Sequence, residues 1–113
     1  MTVNIKRVYE HPESGDGYRV LVDRLWPRGV AKEAAGVDLW LKEVGPSNEL
    51  RTWFGHDPEK FEEFAKKYRA ELDDSAAAKE LREVVSAHST VTLVYSAKDE
   101  EHNQAVVLAD YLG

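Results

Sequence analysis

The sequence predicts a small α/β domain: a sheet that is at least partly parallel, covered by helices, in one folding unit over 1–113. Three observations carry that expectation. Short runs of β-formers alternate with longer stretches whose apolar residues recur on one helical face. The connection from Leu39 to Val91 holds three helical segments, long enough for a parallel crossover. And 113 residues with 42% hydrophobic content suffice for one core and leave little room for a second.

The elements follow in order. Val3, Ile5 and Tyr9 lie on one side of an alternating start, which reads as a strand. From Glu10 to Gly17, Pro12, Ser14, Gly15, Asp16 and Gly17 mark a turn-rich loop. Tyr18 to Val22 is a short strand. It gives way to Asp23-Arg24-Leu25-Trp26-Pro27-Arg28-Gly29, where Pro27 has no N–H to offer a ladder. Leu39 to Val44 reads as the next strand, closed by Gly45-Pro46. Ser47 is placed to cap a helix bearing Leu50, Trp53 and Phe54 and stopped by Gly55. Asp57-Pro58 opens a second, with a cap followed by proline at the first helical position. Phe61, Phe64, Ala65, Tyr68 and Leu72 form its inward stripe; Glu59, Lys60, Glu62, Glu63, Lys66 and Lys67 are its solvated face. Asp74-Ser75 starts a third, with Ala77, Ala78, Leu81, Val84 and Val85 inward. Val91 to Tyr95 is the clearest buried strand. Ser96-Ala97-Lys98-Asp99 then leads to a last helix whose apolar residues are Ala105, Val107, Leu108, Tyr111 and Leu112.

Composition narrows the function classes. With no cysteine, the chain forms no disulfide or metal-thiolate site and suits a reducing compartment. The N-terminus lacks the features of a signal peptide, and no apolar stretch nears the roughly 20 residues that span a bilayer. A soluble, cytoplasmic protein without a membrane partner is the expectation. The net charge of −6, from 15 basic and 21 acidic residues, argues against a general grip on nucleic acid. No P-loop, G-x-G-x-x-G or H-E-x-x-H occurs, and His11, His56, His88 and His102 lack metal-ligand spacing. Neither a cofactor nor a metal is expected.

In an open α/β sheet, ligands bind beyond the carboxyl ends of the strands. Arg24 to Gly29 and Ser96 to Asp99 both take such positions. If their strands are parallel neighbours, the two loops face one crevice. Arg24 and Arg28 would grip a carboxylate or phosphate, Lys98 would add a point charge, and Gly29 would permit close backbone approach. Trp26, the Ser96 hydroxyl, the Asn103 amide and the N–H groups of a helix start would complete a site for a small anion. His102 is the candidate acid or base, and Ser96 the candidate catalytic hydroxyl. Ser96, His102 and Asp99 supply the residue types of a hydrolase triad, yet they crowd into one turn without a G-x-S-x-G elbow. His56 joins the crevice if its turn lies above the sheet edge. A structural reading stands beside each of these: Arg24 pairing with Asp23, Trp26 plugging the core, Lys98 neutralised by Asp99, Glu100 and Glu101.

These same segments carry a resemblance. Val20-Leu21-Val22-Asp23-Arg24-Leu25-Trp26-Pro27-Arg28-Gly29, Asp38 to Val44, Pro46 to Leu50, Trp53 to Pro58 and Tyr95 to Ala105 together resemble the YeaO-like branch of the bacterial family catalogued as domain of unknown function 488. The likeness runs over nearly the whole chain. It implies a small α/β fold and transfers no residue role. Other branches resemble this one but carry cysteines where Tyr95 and Asn103 stand here, so the resemblance implies no thiol chemistry for this chain.

Two further classes stay open. One is a nucleic-acid binder, with Arg24 and Arg28 on phosphates and Trp26 or Trp53 stacking on bases. The other is an interaction module without catalysis, such as a homo-oligomer, built on an apolar patch containing Trp26, Trp40 or Trp53.

Overall fold

The computed structural model describes residues 2–113. Four strands, β1 (Thr2–Arg7), β2 (Tyr18–Leu21), β3 (Leu39–Trp40) and β4 (Thr90–Tyr95), form one sheet in the order β1-β4-β2-β3. Every pair is parallel. The helices are α1 (Lys32–Ala35), α2 (Asn48–Phe54), α3 (Phe61–Asp73), α4 (Ala76–Ala87) and α5 (Gln104–Leu112). None is long and apolar enough to cross a membrane.

Period-two alternation divides the core between the sheet faces. Val20 and Val22 with Val91, Leu93 and Tyr95 face the larger cluster, where Phe54, Phe64, Tyr68, Leu81, Val85 and Leu108 cover them. Leu21 and Val94 point the other way, onto Val8 and Ala35, with Trp26, Val30 and Val37 packed around them. Arg19 and Thr92 are also buried. Arg19 donates to Asp16 Oδ2 at 2.6 Å, to the Ala35 carbonyl at 2.8 Å and to the Gly36 carbonyl at 3.0 Å. Lys6 reaches both Asp16 oxygens at 3.3 Å. That ion cluster ties β1, β2 and the turn at Ser14–Asp16 to the segment after α1.

The caps explain where the helices begin. Ser47 Oγ accepts from the Leu50 N–H and Ser75 Oγ from the Ala78 N–H, both at 3.2 Å. Gly55 ends α2 in the left-handed conformation. Asp57 Oδ1 accepts from the Glu59 N–H at 3.0 Å and holds a short 3-10 turn, Pro58–Lys60, that leads into α3.

Four details differ from expectation. Tyr9 lies beyond β1 and is exposed, because the chain turns once the Val8 N–H has bonded the Tyr95 carbonyl. The run from Leu39 to Val44 is a strand only at Leu39–Trp40; Lys42–Val44 coils into a 3-10 turn. The buried Tyr68 hydroxyl pins that turn by donating to the Val44 carbonyl at 2.5 Å. The last helix starts at Gln104 rather than just after Asp99, because Asp99 spends its carboxylate on the N–H groups of Glu101 and His102 and closes a turn of its own. The short helix α1 had no anticipated counterpart.

Candidate functional site

Two parallel neighbours, β2 and β4, end side by side, and a cavity of about 490 Å³ opens beyond their carboxyl ends. The chain leaves β2 through Val22, whose N–H bonds the Val94 carbonyl at 3.1 Å, and reaches Asp23 on the cavity wall. Asp23 is 9% exposed. Its Oδ2 accepts from the Ser96 N–H at 3.0 Å, and its Oδ1 from the Gln104 side-chain amide. Burial pushes this carboxyl above the ordinary aspartate range, against the pull of Ser96, Gln104 and the Arg51 charge. The Asp23 carbonyl is held separately by the Trp40 indole N–H at 2.8 Å.

Arg24 crosses to the opposite wall. Its Nε donates to the Gly45 and Pro46 carbonyls at 3.1 and 2.6 Å, while its two terminal nitrogens have no protein partner among the described residues. The approach favours glycine: a Cβ at Gly45 would sit a tight 3.0 Å from Arg24 Cγ and 3.2 Å from the Val22 carbonyl oxygen. Arg28 and Arg51 also line the cavity, and neither guanidinium has an ion-pair partner among the described residues. Among the described residues, the charged lining is thus three arginines against the single carboxylate Asp23, with His56 and the Tyr9 phenol beside them. His56 reaches the wall because both Gly55 and His56 take the left-handed conformation, with φ of 54° and 57°. Arg7 braces the far side by donating to the Ala97 carbonyl at 2.9 Å.

Of the residues anticipated from sequence, Arg24, Trp26, Arg28, Ser96 and Asn103 line the cavity; Gly29, Lys98 and His102 do not. Gly29 serves its turn, with φ of 78°. Lys98 is exposed elsewhere. His102 is drawn away by a bond from Nδ1 to Asp99 Oδ2 at 2.9 Å, with its ring set edge-on to Phe61. Bonds from the N–H groups of Glu101 and His102, and the His102 ring, hold the Asp99 carboxyl below its ordinary range. The Asn103 amide is committed to structure: Oδ1 accepts from the Val106 N–H at 3.1 Å, and Nδ2 donates to the Asp99 carbonyl at 2.9 Å. Sequence reasoning missed Arg51, Thr52 and Gln104 as lining residues and took Asp23 only for a partner of Arg24. Arg51 stands beside the inward residues Leu50 and Phe54, a position that helical spacing alone leaves undecided between surface and crevice.

Comparison with known proteins gives the chain relatives. Over 110 residues the chain is 48% identical to the uncharacterized protein Rv3073c of Mycobacterium tuberculosis H37Rv, covering 97% of this chain and 92% of that one. The uncharacterized protein Mb3100c of Mycobacterium bovis matches to the same extent. The uncharacterized protein YeaO of Escherichia coli K12 is 43% identical over 112 residues, covering 99% of this chain and 97% of its own. No solved structure matches at a significant level. The model of the inactive DUF488-N3 subclade matches residues 2–113, so the chain belongs to the DUF488 family and to that subclade.

Proposed function

We propose that the cavity binds a small molecule bearing a phosphate or carboxylate group and holds it without turning it over. One observation carries this reading: in a chain of net charge −6, three guanidiniums without acidic partners among the described residues line a single cavity. Arginines left unpaired around a partly enclosed space favour an anion, which they can grip through paired hydrogen bonds. Binding without turnover agrees with the subclade's description as inactive. It agrees also with the position of His102, outside the cavity and bonded to Asp99. Ser96 then helps to form the wall through its N–H bond to Asp23 rather than acting as a nucleophile.

Thermal shift and calorimetry against phosphate, sulfate, sugar phosphates, nucleotides and small carboxylates test this. A ligand at about 100 times its dissociation constant adds about 2.7 kcal/mol to the folded state. Arg24→Gln and Arg51→Gln should each weaken binding about tenfold or more, as expected for a lost charged hydrogen bond, while Lys98→Ala leaves it unchanged. Equal affinities across all four proteins would refute the assignment.

A second reading has its own observation. Leu25 is 68% exposed and Trp40 36% exposed, with Trp40 set edge-on to Trp26 at 5.4 Å. Such a patch suits a protein partner or a second copy of the chain. Sedimentation of wild type and Trp40→Ser separates this reading: a dimer lost in the variant favours it.

A further inference from the structure

The cavity is more varied than a bare anion needs. Its volume of about 490 Å³ falls within the roughly 300–1,000 Å³ of pockets that enclose whole metabolites. Besides the arginines, it presents two other kinds of wall.

One wall accepts hydrogen bonds. Asp23 receives one bond on each oxygen, and a carboxylate has about four acceptor positions, so lone pairs remain. Gln104 turns its amide nitrogen to Asp23, which leaves Oε1 without a partner among the described residues. None of the lining arginines neutralises Asp23 by a direct ion pair. A hydroxyl or amino group on a ligand would find acceptors here, on a molecule whose other end is anionic.

The other wall is aromatic. The Trp26 indole N–H is fixed to the Val30 carbonyl at 2.7 Å, and the Tyr9 hydroxyl donates to the Arg28 carbonyl at 3.1 Å. Each ring is therefore held by its polar atom to the loop that carries Arg28. Phe54, stacked on Phe64 with centroids 4.2 Å apart, lies on the same cavity. Fixed rings lining a cavity suit a flat π system.

A sugar phosphate would use the arginines and the acceptors and leave the rings wet. An aromatic carboxylate would use the arginines and the rings and leave the acceptors unmet. We infer that the ligand is a nucleoside monophosphate, its phosphate on Arg24, Arg28 and Arg51, its base against Trp26 and Tyr9, and its hydroxyl or amino groups toward Asp23 and Gln104. This rests on the anion-binding reading and narrows it.

Calorimetry on the full chain compares the four common ribonucleoside 5′-monophosphates, ribose 5-phosphate, inorganic phosphate and a 5′-phosphorylated dinucleotide. At least one monophosphate should bind about tenfold or more tighter than ribose 5-phosphate, the margin expected of one stacked base. Trp26→Leu should reduce that margin to about threefold or less with phosphate affinity unchanged, and Trp26→Phe should keep it. Asp23→Asn should weaken the preferred monophosphate more than it weakens phosphate. Monophosphates no tighter than ribose 5-phosphate would overturn the inference and leave the anion reading standing. A dinucleotide that outbinds every monophosphate would overturn it in favour of a nucleic-acid end. No binding by any phosphorylated probe would overturn both readings.

Discussion

Arg19 is the only charged side chain of β2, and at 3% exposure its guanidinium is enclosed. Arg19→Met keeps much of the aliphatic stem and removes three bonds: one to Asp16 and one each to the carbonyls of Ala35 and Gly36. Removing one partner of a buried ion pair costs about 3–5 kcal/mol, and a carbonyl deprived of a charged donor adds about 1.5–3 kcal/mol. The simple sum overshoots, because Lys6 still reaches Asp16 and Gly36 is open to water. We expect a loss of about 3–5 kcal/mol at pH 7, a large share of the roughly 5–15 kcal/mol that holds such a domain together. At about 4 °C per kcal/mol for a chain of this size, the melting temperature falls by about 12–20 °C. Urea unfolding followed by tryptophan fluorescence measures it. The pH dependence separates charge from packing. Burial pushes the Asp16 carboxyl up, but the Glu13 N–H, Lys6 and Arg19 outweigh it and hold the group below its ordinary range. Stability from such a depressed group is present above about pH 4, the unfolded-state value, and is lost as pH falls through the lower folded value. The gap between wild type and variant should therefore narrow below about pH 4. A loss under about 1 kcal/mol at pH 7, or a gap that stays constant down to about pH 2, refutes the ion-pair account.

Two other substitutions probe the scaffold around the cavity. Tyr68→Phe orphans the Val44 carbonyl, and urea unfolding should record a loss of about 1–3 kcal/mol; an unchanged midpoint would mean that the turn before α2 holds without it. Asn103→Ala should cost about 1–2 kcal/mol and speed amide exchange at Val106, whereas Asn103→Asp retains the cap and most of the stability; equal losses in both would place the weight on the Asp99 carbonyl instead.

Legibility in the sequence followed the range of the physics involved. Helix caps at Ser47, Asp57 and Ser75 are local chemistry, readable from a few neighbours, and each is where it was expected. The β-former runs at Tyr18 to Val22 and at Val91 to Tyr95 marked two strands, and Val20 to Val22 and Val91 to Tyr95 are buried along their length. Leu39 to Val44 misled because Leu41 and Val44 are buried not by strand pairing but by a turn fastened to Tyr68, twenty-four residues beyond Val44. The site divides similarly. Arg24, Trp26 and Arg28 line the cavity as anticipated, because they follow a strand end that opens onto it. His102 and Lys98 were misplaced because Asp99 closes a turn that delays the helix, an Asx-type competition that propensity does not rank. Arg51 and Gln104 reach the cavity through tertiary packing alone.

The position of β4 bears on how the chain comes to fold. It is the last strand in sequence, yet it lies between β1 and β2, which do not pair with each other. During synthesis from the N-terminus, β1 and β2 have no shared neighbour until residues 90–95 emerge, and β2 has only the two-residue β3 to pair with. Sheet assembly thus waits for Thr90–Tyr95 and closes contacts far apart in the chain, which slows folding. Once it has emerged and before it is paired, the segment Thr90–Tyr95, uncharged, without proline and rich in β-formers, is prone to pair with another chain. A nascent chain halted before Thr90 would lack one of the two inner strands of its sheet and offer chaperones the apolar faces of its helices instead.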